Sequence, residues 1–239
     1  MKVYLDNNVI IDIEQGKYEI NDFLSLSDID YYYSESHIGE LLEARDNPKV
    51  SQKKRLDLIS EICKQNCILT GALDLPEIIQ MDVKGMYKIV DNPLRDMINN
   101  EIMDASDTFE LLREIIGLDS REFNNEGPEE VLRIIDARMT TKIGIGLIPY
   151  LTVSEAYGGK VLYYNLLKIV DVANYWSDKK TSHSDIARLY DASHAYSAQI
   201  CDVLVSNDRK MRYKIKAIYS FLGVKTIVLS TQEFFSRYR

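Results

Sequence analysis

Short apolar runs alternate with helical patterns at both ends of this 239-residue chain. Residues 2–5 (KVYL) form a run typical of a buried strand, and the run stops at the polar residues 6–8. Residues 202–205 (DVLV) form a similar run, which stops at residues 206–208. Helical periodicity follows each of them. Because parallel strands need crossover connections, the alternation predicts an α/β fold in which helices cover a parallel sheet.

The same patterns predict further elements in the first and last parts of the chain. Apolar runs rich in β-branched and aromatic residues predict strands, and apolar residues three or four apart predict helices. Gly223 is suited to end a helix, and Ser230 or Thr231 to cap the next. The expected strands cover 30–34, 67–70 and 225–229, and the expected helices cover 9–13, 38–42, 51–67, 186–200, 210–222 and the residues up to 235.

Residues 71–179 lack this alternation. They contain helix-like stretches that glycine and proline separate. These stretches cover 108–116, 129–139 and 161–176. We therefore predict a core formed by residues 1–70 and 180–239, and an all-helical insertion over 71–179 that packs on this core.

The net charge of −8 is concentrated in the insertion. A strongly acidic protein does not coat nucleic acid by charge alone. Between Asp91 and Asp136, however, 13 acidic residues stand against four basic ones, a net charge of −9, and the rest of the chain carries +1. The acidity therefore does not exclude a nucleic-acid substrate for the core. We expect the insertion to restrict substrate access or to recruit a partner protein.

Cysteine usage and hydropathy favour a cytoplasmic protein. Cys63, Cys67 and Cys201 form no regular framework, which is typical of reduced thiols. The helical spacing of the first two predicts two buried helical thiols more readily than a zinc site. Asp6 interrupts the N-terminal apolar run, so the start does not resemble a signal peptide. The most apolar interior run, 143–153, is shorter than the roughly 20 residues that span a bilayer.

Two predicted strands lead into aspartates, Asp6 and Asp208. In open parallel sheets, ligands bind beyond the carboxyl ends of the strands, where the strand order reverses. Carboxylates that converge there need a compensating cation, and oxygen ligands suit Mg²⁺ or Mn²⁺. Glu40 and Asp191 lie on predicted helices next to the same edge. The four acids together match the requirements of a site that holds one or two divalent ions and activates water for phosphodiester cleavage.

Each acid also has a simpler interpretation when it is taken alone. Asp6 and Asp208 are equally suited to turns or helix N-caps. Glu40 fits a solvated helix surface, and Asp191 fits a surface ion pair with Arg188 one turn earlier. The metal hypothesis therefore depends on the joint placement of all four acids.

The segments LDNNVI, SHIGELLEA and DASHAYSAQICDVLVSND resemble PIN-domain nucleases. The resemblance covers residues 1–70 and 180–239, and its most specific part is the spacing from Asp191 to Asp208. It implies a Rossmann-like parallel sheet and a divalent-metal-dependent nuclease, most often one that cleaves RNA. It also implies the residues of the site, with catalytic metal ligands at Asp6, Glu40, Asp191 and Asp208 and supporting groups at Asn8 and Ser206.

The resemblance leaves the physiological role open. Toxins of toxin–antitoxin pairs are frequent in this family, which makes an antitoxin or another regulatory protein a possible partner. Family members are commonly much shorter than this chain, and enlarged relatives also serve in RNA processing or in defence against foreign nucleic acid. The insertion over 71–179 has no counterpart in the matched pattern.

Several other residues are candidates for supporting roles. His194 projects from the same side of its helix as Asp191, although a hydrogen-bonded structural histidine is the simpler interpretation. The tyrosines at 31–33 and 163–164 are better explained by core packing than by base stacking. A basic run directly follows Asp208 and is equally suited to guide phosphates or to form a solvated helix face. It comprises Arg209, Lys210, Arg212, Lys214 and Lys216, and residues 53–55 are a weaker candidate for the same role.

Two functions from different classes follow from these residues. The first is a Mg²⁺- or Mn²⁺-dependent endonuclease with an RNA substrate, DNA being the other possibility. The second is a non-catalytic scaffold with the same fold that binds a basic partner protein through the acidic insertion. A phosphatase of small molecules is disfavoured because no Asp-x-Asp-x-Thr motif follows the first strand, and Walker and G-x-G-x-x-G loops are also missing. The oligomeric state stays open.

Overall fold

The computed structural model describes residues 1–44, 47, 51–70, 75–90, 106–118, 122–152, 159–177 and 184–239. Its strands are β1 (Lys2–Leu5), β2 (Asp30–Ser34), β3 (Asn66–Leu69), β4 (Glu77–Gln80), β5 (Val203–Val205) and β6 (Ile227–Leu229). They form one sheet in the order β4-β3-β2-β1-β5-β6. Neighbouring strands are parallel, except that β4 runs antiparallel to β3. The fold is therefore α/β with a mixed, mostly parallel sheet, and it is compatible with a Rossmann-like arrangement.

Helices flank this sheet on both sides. They are α1 (Asn7–Glu14), α2 (Ile20–Leu24), α3 (Glu35–Glu43), α4 (Gln52–Cys63), α5 (Val83–Ile89), α6 (Ser106–Ile116), α7 (Pro128–Ile143), α8 (Leu147–Leu151), α9 (Gly159–Val172), α10 (Ser184–Ala198), α11 (Arg209–Leu222) and α12 (Thr231–Tyr238). A short 3₁₀ helix covers Glu122–Asn125. Polar caps begin the helices that leave the strands: Asp6 caps α1, Ser34 caps α3 and Asp208 caps α11.

The strand order reverses beside β1. In the register of the sheet, Tyr4 of β1 lies between Tyr32 of β2 and Leu204 of β5. The chain goes from β1 to β2 on one side, and it returns from the last third of the sequence to add β5 on the other. The backbone N–H of Asp6 donates to the carbonyl of Val205 at 2.8 Å, so the two strands end together. This is the topological switch point at which ligands bind in open α/β sheets.

Two separate apolar layers cover the sheet. The face that carries Tyr4 and Tyr32, here called the insertion face, packs against α6 to α11. The face that carries Val3 and Leu5, here called the opposite face, packs against α1 to α5 and α12. Since α6 to α9 lie within 71–179, the insertion supplies much of the layer over one face of the sheet. Removing it would expose buried apolar side chains to water, at a cost of about 25 cal/mol for each Å² of apolar surface.

The structure confirms the predicted strands and helices of the two end segments and corrects three details. The insertion contains a strand, β4, because Glu77–Gln80 pair with the exposed edge of β3 and close it. The helix predicted over 38–42 begins earlier, at Glu35, so Glu40 lies in the second turn of α3. Cys63 ends α4 but Cys67 lies in β3, so the prediction of two helical thiols is wrong for Cys67, although all three cysteines are buried and free.

Part of the acidic stretch between Asp91 and Asp136 lies outside the described residues. Among the helices that the structure describes, none has the combination of length and apolarity needed to cross a membrane.

Candidate metal centre

Asp6 lies directly after β1 at the switch point, and only 4% of its surface is exposed. One carboxylate oxygen, Oδ1, accepts a hydrogen bond from the backbone N–H of Asn7 at 2.7 Å. The other, Oδ2, accepts from the hydroxyl of Ser206 at 2.7 Å and from the side-chain amide of Asn8. These donors hold a buried carboxylate in one orientation and offset part of the cost of its burial.

The turn after β5 is fastened to the start of α1. The side-chain amide of Asn8 donates to Oγ of Ser206 at 3.0 Å, and its oxygen accepts from the backbone N–H of Asn207 at 2.8 Å. The backbone N–H of Asp208 donates to the same serine oxygen at 3.2 Å. Asn8 and Ser206 therefore connect two segments that lie about 200 residues apart in the sequence.

Glu40 reaches the same edge from α3. Its Oε2 accepts from the side-chain amide of Asn7, and its Oε1 accepts from Nε2 of His194 at 2.9 Å. The second nitrogen of His194, Nδ1, lies 2.7 Å from the hydroxyl of Tyr4, which lies 2.6 Å from Oγ of Ser34. Tyr4, His194 and Glu40 thus form a chain of hydrogen bonds that runs from the buried centre of the sheet to the site.

A second histidine supports the end of β1. Nε2 of His37 donates to the carbonyl of Leu5 at 2.7 Å, and its Nδ1 accepts from the backbone N–H of Ser34 at 3.1 Å. Burial and the neighbouring charge of His194 lower the pKa of His37 to about 3. The ring is therefore neutral and fixes the backbone immediately before Asp6.

Asp191 and Asp208 complete the acidic edge. Asp191 lies on α10, one turn before His194, and interacts electrostatically with Asp6, Asp208 and Glu40. Asp208 is exposed and uses Oδ1 to accept from the backbone N–H of Met211 at 2.9 Å, so it is an N-cap as well as a member of the acidic edge. The alternative pairing of Asp191 with Arg188 does not form in the structure, because Arg188 bonds to Asp171 and Asp185 instead.

The carboxylates affect one another's protonation. Burial raises the pKa of Asp6 to about 6, with repulsion from Glu40 opposed by the attraction of His194. Burial and the carboxylate of Asp6 raise the pKa of Asp191 well above its ordinary value. Burial alone would lower the pKa of His194, but the carboxylates of Glu40, Asp6 and Asp191 raise it to about 9. His194 therefore compensates the carboxylates of the acidic edge at neutral pH, together with Lys214, whose charge favours the ionised form of Asp191.

Burial would likewise raise the pKa of Glu40, but the charge and hydrogen bond of His194 lower it below its ordinary value. Glu40 is thus ionised and paired at neutral pH. The alternative that it occupies a solvated helix surface is wrong, because its carboxylate contacts both Asn7 and His194.

The basic run after Asp208 divides into two groups. Lys214 is buried and lies 2.9 Å from Oδ1 of Asp171, which is incompatible with a solvated, phosphate-guiding position. The reason is helical periodicity, since residue 214 faces the layer between α9 and α11. Arg209 is exposed, whereas Lys210 and Arg212 are partly exposed and donate to backbone carbonyls of Ser177 and Ser206.

The chemistry of the donors fits a hard divalent cation. Three carboxylates and the buried side-chain oxygen of Asn7, which has no hydrogen-bond partner, face one edge of the sheet. Among the described residues, no three His, Cys, Asp or Glu side chains are already arranged as ligands of one ion. The oxygens of Asp6 and Glu40 accept hydrogen bonds from Asn8, Ser206 and His194 instead.

Sequence reasoning missed three residues of this network. Asn7 bridges Asp6 and Glu40, Tyr4 anchors His194, and Asp12 accepts from the side-chain amide of Asn207 at 2.8 Å. The two adjacent asparagines after β1 were a usable signal for Asn7 as well as for Asn8. Tyr4 gives no such signal, because an aromatic residue within a strand is ordinary core composition.

Comparisons with protein-family models, with curated proteins and with solved structures find no match to this chain.

Proposed function

We propose that this protein is a PIN-like, divalent-metal-dependent endonuclease that hydrolyses phosphodiester bonds in RNA. The observation that carries the proposal is the convergence of Asp6, Glu40 and Asp191, from three distant segments, at the switch point of the sheet. Burial and repulsion between carboxylates raise the pKa of Asp6 and of Asp191, and such perturbed carboxylates are typical of functional sites. Asp208 lies at the rim of the same cluster.

Asp6, Glu40, Asp191 and Asp208 are the residues that would hold Mg²⁺ or Mn²⁺. When bound there, such an ion would act as a Lewis acid on the phosphate and make the attacking water more acidic. The protein's own residues supply orientation: Asn8 and Ser206 fix the carboxylate of Asp6, and Asn7 and His194 fix that of Glu40. His194 is a positioning residue, because it contacts ligands rather than substrate.

An open cleft next to the acidic edge offers a path for the substrate. It has a volume of about 560 Å³, and Asn7 and Glu40 form part of its wall. Lys54 and Arg55 line the same cleft, which supports a role of residues 53–55 in attracting the phosphate backbone. Arg55 is buried and pairs with the carboxylate of Glu14 at 2.7 Å, whereas Lys54 is exposed and donates to the backbone carbonyl of Glu14 at 2.7 Å, so Lys54 is the better phosphate contact of the two.

Cleavage of labelled RNA and DNA by the purified full-length protein, with Mn²⁺ and with a chelator, tests the proposal. We expect Mn²⁺-dependent cleavage of RNA that Asp6→Asn, Glu40→Gln and Asp191→Asn reduce to background, because each removes one ligand charge. Asp57→Asn, a change on the exposed face of α4, is the matched control and should keep full activity.

A thermal melt with and without Mn²⁺ separates loss of activity from loss of folding. The unchanged protein should gain stability with Mn²⁺, and the three ligand variants should fold but gain less. Full activity of Asp6→Asn would contradict the mechanism. Absence of both cleavage and a Mn²⁺ shift would favour the non-catalytic scaffold.

A further inference from the structure

We propose that Trp176 and Tyr213, together with Arg209, form a platform on which one unpaired base of single-stranded RNA stacks beside the candidate metal centre. The rings of Trp176 and Tyr213 stack at a centroid distance of 4.2 Å with an angle of 13° between their planes. The guanidinium of Arg209 lies 4.7 Å from the Trp176 ring and 5.8 Å from the Tyr213 ring. The inference rests on the proposed nuclease function and names the form of its substrate.

The platform combines the two features by which proteins bind single strands without reading their sequence. These features are aromatic faces for the bases and a basic groove for the backbone. Both rings are partly exposed, and Arg209 is exposed. Residues 209–216 contain five basic and no acidic side chains, of which Lys214 is buried against Asp171 and the other four are exposed or partly exposed. One of these four, Lys216, places its ammonium 5.8 Å from the Tyr213 ring.

Arg209 has no carboxylate partner in the part of the chain that the structure describes. The other cations near it are engaged: Lys214 pairs with Asp171, and Lys210 donates to the carbonyl of Ser177 at 2.7 Å. An exposed arginine whose contacts are aromatic rings can stack on a base or bind a phosphate without breaking an ion pair.

Trp176 lies in a strained turn of the backbone. Its φ is +50°, in the left-handed region that a bulky side chain rarely adopts, and Asn174 two residues earlier has a φ of +57°. Strained residues of this kind concentrate at functional sites. The hydrogen bond from Lys210 to Ser177 ties this turn to the first turn of α11.

The platform is close to the acidic edge along one helix. Asp208 caps α11, Arg209 follows directly, and Tyr213 lies one turn further on the same side, about 6 Å along the axis. Trp176 comes from the insertion, whereas Arg209 and Tyr213 come from the core. The insertion would therefore help to select single-stranded substrates, which gives a physical form to the expectation that it controls access.

Trp176 is the single tryptophan of the chain, so fluorescence excited at wavelengths that the 16 tyrosines do not absorb reports on this platform. The experiment uses the full-length Asp6→Asn protein in a chelator, so that binding is measured without cleavage. The probes are an RNA single strand of about 12 nucleotides, the same RNA as a duplex, and an abasic strand of equal length. We expect the single strand to quench the fluorescence, and the duplex and abasic strands to quench little. A DNA single strand should quench as well, because the stacking surface recognises bases rather than sugars.

Variants measure the contribution of each ring to affinity. Trp176→Leu and Tyr213→Leu should weaken binding of a labelled RNA single strand by between about 5-fold and about 100-fold, whereas Tyr213→Phe keeps the ring and should change it little. Tyr18→Leu is the aromatic control, since Tyr18 is partly exposed and packs on Phe235 elsewhere. Arg209→Ala measures the contribution of the guanidinium to binding. Arg237→Ala, which removes a cation over the ring of Tyr238, is its charge control.

The outcomes separate this inference from the nuclease proposal. Quenching and weakened binding without any cleavage by the unchanged protein would support the platform and contradict the nuclease. Cleavage with no quenching, or with equal quenching by the duplex, would overturn the platform alone. If circular dichroism shows that Trp176→Leu does not fold, two other measurements still test the platform. They are the quenching of Trp176 fluorescence and the comparison of RNA binding by Tyr213→Phe with that by Tyr213→Leu.

Discussion

Tyr4 and Tyr31 lie on neighbouring strands but on opposite faces of the sheet, and their hydroxyl groups have different kinds of partner. Tyr31 donates to the backbone carbonyl of Phe23 at 3.0 Å, and Tyr33 on the same face donates to that of Met81. Tyr4, on the insertion face, contacts the side chains of Ser34 and His194 and through them the candidate site.

The ion pairs on the two sides of the sheet also join different helices. The Lys160–Glu35 pair joins α9 of the insertion to the start of α3, and the ion pairs of Asp171 with Arg188 and Lys214 join α9 to α10 and α11. The layer over the opposite face contains the pair of Arg55 with Glu14 between α1 and α4. Buried charges are tolerated when they are paired, so the insertion lets the molecule keep a polar interior next to the acidic edge. The insertion face thus contributes Tyr4 and His194 to the hydrogen bonds of the candidate site, and α1 and α3 on the other side of the sheet contribute Asn8 and Glu40.

Lys160→Met should produce the largest effect on stability that follows from this comparison. Lys160 bonds to Oε1 of Glu35 at 2.7 Å, and both residues are buried. Losing the lysine leaves a buried carboxylate without its cation, which should lower the free energy of unfolding by about 3 kcal/mol. Urea unfolding measures the change.

The control is Lys17→Met, on the side of the opposite face. Lys17 pairs with Asp12 but its side chain is 59% exposed, so its loss should cost less than about 1 kcal/mol. Equal costs for the two variants would contradict the premise that the burial of an ion pair sets the cost of losing its cation.

The second prediction concerns the pH dependence of the metal-free protein. The pKa of Asp6 is raised from 3.8 to about 6, so the folded state holds its proton to a higher pH than the unfolded state does. This contribution to stability is present below about pH 4 and is lost as the pH rises to about 6. Relative to Asp6→Asn, the unchanged protein should lose about 2 kcal/mol between about pH 4.5 and about pH 7.

The measurement is urea unfolding in a chelator at several pH values. The slope of the free energy of unfolding against pH is compared between the two proteins. A loss of stability caused by the asparagine itself is the same at every pH and does not change this slope. Asp57→Asn, on an exposed helix surface, should follow the unchanged protein over the same range. If the free energy of unfolding of Asp6→Asn changed with pH at the same slope as that of the unchanged protein, the pKa of Asp6 would not be raised by folding.

Tyr4→Phe and Tyr31→Phe should show the smallest difference in stability but a clear difference in metal binding. Each variant removes a buried hydroxyl and should cost about 1–2 kcal/mol in free energy of unfolding. Tyr4→Phe also releases His194, the positioning residue of Glu40, and should weaken Mn²⁺ binding about 10-fold or more. Tyr31→Phe should leave Mn²⁺ binding unchanged, and calorimetric titration compares the two.

Much of the fold was predictable because strand and helix patterns are local. The runs at 2–5, 30–34 and 203–205 alternate with helices at the expected places. The strand Glu77–Gln80 was not predictable, because its residues are mostly exposed and its pairing with β3 supplies the reason for its conformation. Lys214 was assigned to a basic surface because its burial against Asp171 depends on a helix of the insertion.

The candidate site, too, was predictable in some of its residues and not in others. Polar residues at strand ends indicated Asp6 and Asp208 from the sequence alone, because a buried strand must stop where such residues begin. The sequence did not determine that His194 joins Tyr4 to Glu40, 154 residues away from it, or that Ser206 bonds to Asp6. Those contacts depend on β5 adding beside β1 rather than at the far edge of the sheet, and strand order is a property of the packed molecule. Local residue patterns determined which groups are available, and the tertiary structure decided which of them meet.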